Sequence, residues 1–468
     1  MMSKRLDVDV AVVGAGTAGL AAHRAARAAG ARSVLIEAGP GGTTCAREGC
    51  MPSKLLIAAA EAAHAAASAS GFGVYAGPVR VDGRAVMARV RAERDRFVGF
   101  VVEGHQALPA EERLEGPARF VRDGVLDVGG VEVHARRVVL ATGSSPKIIP
   151  LFEQVQDRLL TSRDVFEWDD LPESVALFGP GVIGLELGQA LARLGVRVRI
   201  FGVSGSVGPL TDPVVRAAAA DALSEEVPLH PDVEIEWVRP VQGGVEVRWR
   251  EDVAVRQDRF QYVLSAIGRV PNLAGLGLEN TSLPRDARGR LVFDPRTLQV
   301  GDAPVFVAGD VNDDRPLLHE AADEGRIAGE NAARYPDVQA GLRRSPIGVV
   351  FSDPQIAMVG DRYVDLGARD VAIGEVSFAD QGRSRVMRQN RGHLRVYADR
   401  QTGRFLGAEM VGPRAEHLAH LMAWAHQAGL TVPQMLDMPF YHPVVEEGLR
   451  TALRGARDRL APALRRAA

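Results

Sequence analysis

The chain has 468 residues, which is too long for one ordinary hydrophobic core and predicts about three domains. Hydrophobic residues make up 46% of the sequence and charged residues 25%, as in soluble globular proteins. The net charge of −3 gives no signature of polyanion binding, so nucleic acid is not an expected partner. No apolar run precedes Asp7, and the Ala-rich residues 55–70 contain Glu61 and His64. We therefore expect a cytoplasmic protein in which residues 55–70 form a packed helix rather than a membrane span.

The first predicted elements form a βαβ unit. Residues 7–13 predict a strand, an Ala-rich helix runs to Gly30, and residues 33–36 predict a second strand that ends on Glu37. The intervening turn reads Gly-Ala-Gly-Thr-Ala-Gly, whose glycines permit a tight turn and the close approach of a pyrophosphate to the helix N-terminus. An acid at the end of the second strand accepts hydrogen bonds from a ribose. These features predict a dinucleotide site formed by Gly14, Gly16, Gly19 and Glu37.

The same pattern recurs in the second third of the chain. Residues 174–178 predict a strand, residues 179–184 read Gly-Pro-Gly-Val-Ile-Gly, and a helix over 185–194 precedes a strand over 196–201. Two such units imply two dinucleotides, each held by its own domain. The alternative is one nucleotide-binding domain followed by a decayed copy.

Three further apolar strands are each cut short by glycine. They cover residues 138–143, residues 262–267 before Gly268-Arg269-Val270-Pro271-Asn272, and residues 305–308 before Gly309-Asp310. Such turns can bring the backbone against a ligand, although each one alone could be an ordinary strand end.

The pattern changes at about Pro346. Short alternating strands over residues 347–351, 393–398 and 405–411 precede a helix over residues 415–428. This order predicts an antiparallel sheet flanked by helices, in a domain distinct from the two wound ones.

The only two cysteines of the chain lie five positions apart, at Cys45 and Cys50. A metal site needs about four ligands, and no His or further Cys lies close enough in sequence to complete a set, so we expect redox chemistry and no metal. Cys50 begins a predicted helix with Pro52 in its first turn, and a helix N-terminus favours the reactive thiolate. Lys54 adds positive charge one turn further along.

The segment from Gly41 to Lys54 resembles the active-site signature of the flavin-dependent pyridine nucleotide–disulfide oxidoreductases, and it is most similar to that of the dihydrolipoamide dehydrogenases. The resemblance covers essentially the whole chain, with every segment named above in the family's order. It implies an α/β fold with two doubly wound, Rossmann-like domains and a C-terminal α+β dimerisation domain. The implied boundaries are residues 1–148 and 271–345 for FAD, 149–270 for NAD(P), and 346–468 for dimerisation.

The resemblance also implies the roles of individual residues. Cys45 would attack the substrate disulfide, and Cys50 would exchange electrons with the flavin. His442 would act as the general base, oriented by Glu447 and contributed by the partner subunit of a homodimer. Lys54 would lie beside the flavin, paired with Glu186. The residues implied on the FAD side are Gly14, Gly16, Gly19, Glu37, Gly42, Thr43, Lys54, Ala118, Gly143, Glu186, Asp310, Leu318 and His319. Those implied on the NAD side are Gly179, Gly181, Val182, Ile183, Gly184, Gly268 and Arg269.

The sequence departs from the family pattern at three places. Phe440, Tyr441 and Val444 replace the usual neighbours of the retained His442, which would reshape the mouth of the pocket. Gly202 stands 23 positions after Gly179, where Glu37 stands after Gly14, so the nicotinamide domain lacks the expected ribose-binding acid; we favour NAD on family grounds and do not exclude NADP. Ala118 replaces a common glycine, a change that we expect to be harmless.

The expected function is reoxidation of a protein-bound dihydrolipoyl group through Cys45, Cys50 and FAD, with NAD as acceptor. The nearest alternative is an NADPH-dependent disulfide reductase of the glutathione-reductase type. A mercuric reductase would need further cysteines at the termini, and a transhydrogenase usually lacks the first cysteine. A flavin-bearing docking subunit would not need Cys45, Cys50 and the paired side chains. We expect no nucleic acid, membrane or metal partner.

Overall fold

The computed structural model describes residues 4–465, so residues 1–3 and 466–468 lie outside it. The strands in this range are β1 (Lys4–Val13), β2 (Ser33–Glu37), β3 (Arg113–Glu115), β4 (Ala118–Arg122), β5 (Val125–Val128), β6 (Val131–Leu140), β7 (Ser144–Pro146), β8 (Leu159–Leu160), β9 (Ser174–Phe178), β10 (Arg197–Phe201), β11 (Leu229–His230), β12 (Glu234–Val241), β13 (Gly244–Glu251), β14 (Ala254–Phe260), β15 (Tyr262–Ser265), β16 (Arg269–Pro271), β17 (Val305–Val307), β18 (Ile347–Val350), β19 (Gln355–Gly360), β20 (Val371–Ser377), β21 (His393–Asp399) and β22 (Phe405–Gly412).

The α-helices in the described range are α1 (Thr17–Ala28), α2 (Thr44–Arg47), α3 (Cys50–Ser68), α4 (Gly83–Gln106), α5 (Ser162–Val165), α6 (Val182–Arg193), α7 (Pro213–Ser224), α8 (Leu318–Arg334), α9 (Tyr363–Leu366), α10 (Gly382–Val386), α11 (Ala415–Gln427), α12 (Val432–Leu436), α13 (Glu446–Arg457) and α14 (Pro462–Arg465). The chain forms two compact units, which are described separately. The first comprises residues up to 52 together with 89–147 and 269–343, and the second comprises the remaining residues.

The first unit is built on one seven-stranded sheet in the order β3-β2-β1-β6-β5-β4, with β17 also paired to β6. Strands β1, β2, β3, β6 and β17 pair in parallel, whereas β4 and β5 add an antiparallel edge. Strand β1 is apolar on both faces because both are covered. Val10 and Val12 pack in a cluster with Ala22 of α1, whereas Ala11 and Val13 pack in a second cluster on the opposite face.

The second unit contains the other wound sheet. Its five strands pair in parallel in the order β11-β10-β9-β15-β8, and an antiparallel three-stranded sheet, β12-β13-β14, packs beside it. A buried aromatic cluster joins the two sheets, because the Phe201 ring lies 5.2 Å from that of Phe178 and 5.0 Å from that of Trp249. The two predicted wound domains therefore have their expected parallel sheets.

The second unit also contains the predicted antiparallel sheet, in the order β18-β19-β22-β21-β20. Helices α11 and α13 contribute to its hydrophobic core, which confirms the predicted α+β arrangement. Strands β19 and β20 were missing from the sequence prediction. A buried polar cluster ties this sheet to α7: the Asp212 carboxylate caps α7 and accepts hydrogen bonds from Arg395 and from the Tyr397 hydroxyl, each at 2.9 Å.

Helix α3 packs less than the sequence predicts. Buried positions are confined to its first part, at Pro52, Ser53, Leu56, Ile57 and Ala60, and no residue from 61 to 70 is buried. Within the described residues, the helical segment Thr44–Phe72 is long and apolar enough to cross a membrane by length and composition alone, and 17% of its most apolar 18 residues are buried.

Candidate active site

The first nucleotide-binding turn connects β1 to α1. Gly14 has φ +103°, and a Cβ on this residue would lie 2.4 Å from the carbonyl oxygen of Ala141, so the turn requires glycine. At Gly16, by contrast, an added Cβ would meet no atom within 4 Å. The backbone at the start of α1 is therefore accessible to a ligand, and the positive end of the helix dipole favours an anionic one.

The predicted ribose acid lies beside this turn. Glu37 is the last residue of β2, and its Oε2 accepts a hydrogen bond from the Ala15 N–H at 2.6 Å. Its Oε1 accepts from the Gly39 N–H at 2.7 Å. Two backbone donors thus fix the carboxylate at the end of the strand, where it can accept hydrogen bonds from a sugar hydroxyl.

The two-cysteine segment follows in the same unit. Cys45 lies in the short helix α2 and is half-buried, whereas Cys50 is the first residue of the 19-residue helix α3 and is exposed. Thr43 caps α2, because its Oγ1 accepts from the Ala46 N–H at 3.2 Å. Gly42 precedes this cap with φ +89°. The predicted helix start at Cys50 is confirmed.

Two predicted glycine-terminated segments meet in the first unit. The Thr142 hydroxyl donates to the Asn272 carbonyl at 2.8 Å, and the Asn272 amide returns a hydrogen bond to the Thr142 carbonyl at 2.9 Å. Strands β7 and β16, which flank these residues, pair antiparallel. Gly143, with φ +68°, lies at the centre of this junction.

Asp310 and its neighbours form the third part of the site in this unit. Asp310 follows β17, and its Oδ2 accepts from the Ser144 hydroxyl at 2.7 Å. Ser144 in turn accepts from Arg269, whose Nε lies 2.7 Å from the hydroxyl and whose Nη2 lies 2.6 Å from the carbonyl oxygen. Arg269, predicted on the NAD side, therefore also supports the segment that carries Asp310.

A buried carboxylate that the sequence analysis missed supports the same segment. Glu324 on α8 is fully buried; its Oε2 accepts from the Gly309 N–H and from the Asn312 side chain, each at 2.7 Å, and its Oε1 pairs with Arg343 at 2.9 Å. Burial raises the pKa of Glu324 to about 7. The available signal was a charged residue on the apolar face of α8, three positions after the buried Ala321.

The remaining predicted FAD-side residues lie at the ends of elements in this unit. Ala118 is buried at the beginning of β4, and Leu318 and His319 are exposed at the beginning of α8. The turn at Gly14, the accessible backbone at Gly16 and the two carboxylates fit a dinucleotide. They match the pyrophosphate and the hydroxyl groups of FAD in chemical type.

In the second unit, the predicted ion pair between Lys54 and Glu186 is confirmed. The Lys54 Nζ lies 2.9 and 2.8 Å from the two carboxylate oxygens of Glu186, which is buried on α6. Phe351 fixes the pair from two directions. Its backbone N–H donates to Glu186 Oε1 at 3.0 Å, and its ring centroid lies 4.6 Å from the Lys54 Nζ. The ammonium group is therefore held in one place.

The second nucleotide-binding turn reproduces the first. Gly179 has φ +104°, and a Cβ there would lie 2.4 Å from the Ala266 carbonyl oxygen. Gly181 has open space, Val182 and Ile183 begin α6, and Gly184 is buried against the turn. Gly268, predicted on the NAD side, follows β15 with φ +110°. The sequence repeat is therefore a structural repeat.

The predicted catalytic histidine is paired as expected. His442 Nδ1 lies 3.0 and 3.1 Å from the two carboxylate oxygens of Glu447, in the first turn of α13. The hydrogen bond from His442 holds the pKa of Glu447 below its ordinary value. The imidazole side chain is 80% exposed, so Nε2 can face a reacting group.

One group of metal-ligand type occurs among the described residues. The ligand atoms of His64, Glu226 and Asp353 lie within 4.8 Å of one another. Arg193 already pairs with both carboxylates, at 2.7 Å from Glu226 and 2.8 Å from Asp353, and Arg391 also pairs with Glu226. The guanidinium groups supply the positive charge that a metal ion would bring, so this group is an ion-pair network.

Comparison with known families identifies the class. The family described as pyridine nucleotide-disulphide oxidoreductase matches residues 8–325, and its dimerisation domain matches residues 347–453. The chain belongs to this family. The dimerisation domain supports a homodimer.

Individual relatives in this family include dihydrolipoyl dehydrogenases and a mercuric reductase. A dihydrolipoyl dehydrogenase of Haloferax volcanii is 31% identical over 96% of both chains, and one of Bacillus subtilis is 29% identical over 95% of this chain and 98% of its own. A mercuric reductase of Streptomyces lividans is also 31% identical, over 97% of both chains. The protein is thus a dihydrolipoyl dehydrogenase-like flavoprotein disulfide oxidoreductase, dependent on FAD and on NAD or NADP.

Solved structures share the fold. LpdA from Mycobacterium tuberculosis superposes with a TM-score of 0.81 at 24% identity, covering 96% of this chain and 99% of its own. The HOCl-induced flavoprotein disulfide reductase RclA from Escherichia coli superposes with a TM-score of 0.78 at 24% identity, covering 95% and 99%. The predicted fold class is therefore confirmed.

Proposed function

We propose that this enzyme reoxidises a protein-bound dihydrolipoyl group and reduces NAD. The observation that carries the proposal is the assembled pair of His442 and Glu447 in a chain that also retains both cysteines. A carboxylate-bound imidazole serves disulfide exchange because each exchange step must move a proton at sulfur. The names of the relatives from Haloferax and Bacillus support the lipoyl group as substrate.

The proposed chemistry proceeds in two halves. His442 of one subunit removes a proton from a substrate thiol, and the resulting thiolate attacks Cys45 of the partner subunit, breaking its bond to Cys50. The second substrate sulfur then displaces Cys45, which releases the oxidised disulfide and leaves two reduced cysteines. The net reaction converts a dithiol and NAD⁺ into a disulfide, NADH and a proton.

Bound FAD would supply a two-electron relay between the Cys50 sulfur and the nicotinamide. Residues 1–148 and 271–345 would hold it, with Gly14, Gly16, Gly19 and Glu37 at its adenosine half and Asp310 at its ribitol. Gly42, Thr43, Ala118, Gly143, Leu318 and His319 would complete its surroundings. Lys54, fixed by Glu186, would place a positive charge beside the ring, where charge tunes the reduction potential.

Residues 149–270 would bind the nicotinamide dinucleotide, and residues 346–468 would form the dimer. The contacts proposed for the nucleotide are Gly179, Gly181, Val182, Ile183, Gly184, Gly268 and Arg269. A cytoplasmic location fits a protein that takes electrons from a carrier-bound dithiol and passes them to a soluble nucleotide.

The second candidate is an NADPH-dependent disulfide reductase, and Gly202 favours it because no acid opposes a 2′-phosphate there. Turnover of dihydrolipoamide with NAD⁺, measured beside glutathione disulfide with NADPH, separates the two. The proposal predicts faster turnover of the first pair, and Cys45→Ser should abolish it. Faster turnover of the second pair would replace the lipoyl substrate with another disulfide.

A further inference from the structure

The same backbone hydrogen bond occurs in both nucleotide-binding turns and aligns their residues one by one. The Gly14 N–H donates to the Ile36 carbonyl at 2.8 Å, and the Gly179 N–H donates to the Phe201 carbonyl at 2.8 Å. The residues that follow these two carbonyls, Glu37 and Gly202, therefore occupy equivalent positions. The register inferred from the sequence holds in the structure.

Two linked differences distinguish the second turn from the first. In the first, the Ala15 N–H binds the Glu37 carboxylate. In the second, Pro180 stands at the place of Ala15 and has no N–H to offer. The acid and its backbone donor are thus both missing.

The Pro180 ring also takes the space that a side chain at position 202 would need. A Cβ on Gly202 would lie 2.7 Å from the Pro180 Cγ and 2.6 Å from the carbonyl oxygen of Pro231. Gly202 cannot easily move away, because its N–H donates to the His230 carbonyl at 2.8 Å and its carbonyl accepts from Val233 at 2.9 Å. Glycine at position 202 is therefore built into the packing.

The loop that follows Gly202 carries no charged side chain from residue 203 to residue 208. Residues 202–208 read Gly-Val-Ser-Gly-Ser-Val-Gly, and Val203 is 70% exposed. The arginines of β10 are engaged elsewhere: Arg197 pairs with Asp258 at 2.9 Å, and Arg199 lies 2.8 Å from the His230 Nε2. The nearest carboxylate along this loop is Asp232, which is exposed and pairs with Val203 across a β-bridge.

We propose that the nicotinamide domain binds the adenosine ribose without a charged side chain that distinguishes a 2′-hydroxyl from a 2′-phosphate. The domain therefore accepts dinucleotides with and without a 2′-phosphate. This inference rests on the proposed binding of the dinucleotide at residues 179–184. A carboxylate at position 202 would repel a 2′-phosphate, and an arginine would attract it. This loop has neither side chain, so it neither repels nor attracts the 2′-phosphate.

The test measures binding of two adenosine fragments to the FAD-loaded enzyme by calorimetry. ADP-ribose and 2′-phospho-ADP-ribose differ only in the phosphate, and neither carries nicotinamide. We expect their dissociation constants to agree within about tenfold and their ratio to change little between low and high salt. A ratio of about 100 or more, in either direction, would overturn the inference. Failure of both fragments to bind would contradict the proposed nucleotide site instead.

Matched substitutions at Val203 provide the second readout. Val203→Arg should shift the ratio about tenfold towards 2′-phospho-ADP-ribose, and Val203→Glu should shift it in the opposite direction. If neither variant changes the ratio, the loop does not face the ribose and the inference fails. Asp232→Asn is the control and should leave the ratio unchanged. A large change in the ratio would show that the Asp232 carboxylate distinguishes the two ligands, which would also overturn the inference.

Discussion

Glu447 holds the imidazole of His442 through Nδ1, with Oε2 at 3.0 Å, while the ring itself remains 80% exposed. The carboxylate therefore orients the ring through one nitrogen without burying it, and the other nitrogen can reach a reacting sulfur. A histidine retained for packing would instead be buried, as His23 is beside Ser33.

His442→Gln should slow the disulfide half-reaction by about 10²–10⁴-fold, because glutamine keeps polarity but cannot carry the proton. Flavin reduction by NADH needs no such base and should change little. Stopped-flow measurement of the two half-reactions separates these effects. Glu447→Gln should give a smaller loss in the same half-reaction. Equal slowing of both half-reactions by His442→Gln would show that the residue acts on the fold or on the dimer.

Cys50→Ser should abolish the long-wavelength absorbance that a thiolate beside an oxidised flavin produces after two-electron reduction. Cys50 begins α3, where the helix dipole favours the thiolate. Cys45→Ser is the matched variant: it removes disulfide turnover but keeps Cys50 in its reduced thiolate form, so the absorbance should be present in the oxidised variant before any reduction. If the band persists in Cys50→Ser, the thiolate beside the flavin is not that of Cys50 and the assignment is wrong.

Lys54→Met should lower the midpoint potential of the bound flavin and destabilise the enzyme by about 1–3 kcal/mol, since buried Glu186 loses its cationic partner. Thermal unfolding and a redox titration measure the two effects. Lys4→Met, which removes an exposed lysine at the beginning of β1, is the control and should change neither. An unchanged potential in Lys54→Met would remove Lys54 from the surroundings of the flavin.

Glu324→Ala should weaken FAD retention, because it leaves the buried Gly309 N–H without an acceptor, a loss of about 1–3 kcal/mol. Glu320→Ala is a close control: Glu320 also pairs with Arg343 but makes no hydrogen bond to Gly309. Flavin release on dilution, followed by fluorescence, compares the two. Equal retention in both variants would show that Glu324 does not support the Asp310 segment.

Glu324 also predicts a pH dependence of stability. Its pKa is about 7 in the folded enzyme against an ordinary 4.5, so between these values the folded state holds a proton that the unfolded state has lost. Stability should therefore fall as the pH rises from about 4.5 to 7, by up to about 3 kcal/mol from this group, and change no further above pH 7. Denaturant unfolding of the wild type and of Glu324→Gln measures the difference, and parallel pH profiles would contradict it.

The sequence predicted the elements whose signals are local. Gly14 and Gly179 form tight turns with positive φ, as predicted. Glu37 ends its predicted strand, and Cys50 begins its predicted helix. The Lys54–Glu186 pair came from the family resemblance, because residues 132 positions apart leave no local pattern. The His442–Glu447 pair also came from the resemblance, although the two residues are only five positions apart.

Other features depend on tertiary packing and could not be predicted. The support of Asp310 by Glu324 and Ser144 needs three segments to meet. The steric requirement for Gly202 comes from Pro180 and Pro231, which lie 22 positions earlier and 29 positions later in the sequence. The exposure of the second half of α3 depends on which elements pack against it. A run of alanines alone does not determine this.

Counting thiols tests the central claim most directly, because the chain has only two cysteines and each is assigned to the same redox pair. The oxidised, FAD-loaded enzyme is alkylated under denaturing conditions before and after anaerobic treatment with NADH, and the adducts are counted by mass spectrometry. We expect no adduct before reduction and two adducts afterwards, on Cys45 and Cys50. Two adducts in the oxidised enzyme, or none after the anaerobic treatment with NADH, would show that electrons do not pass through this pair.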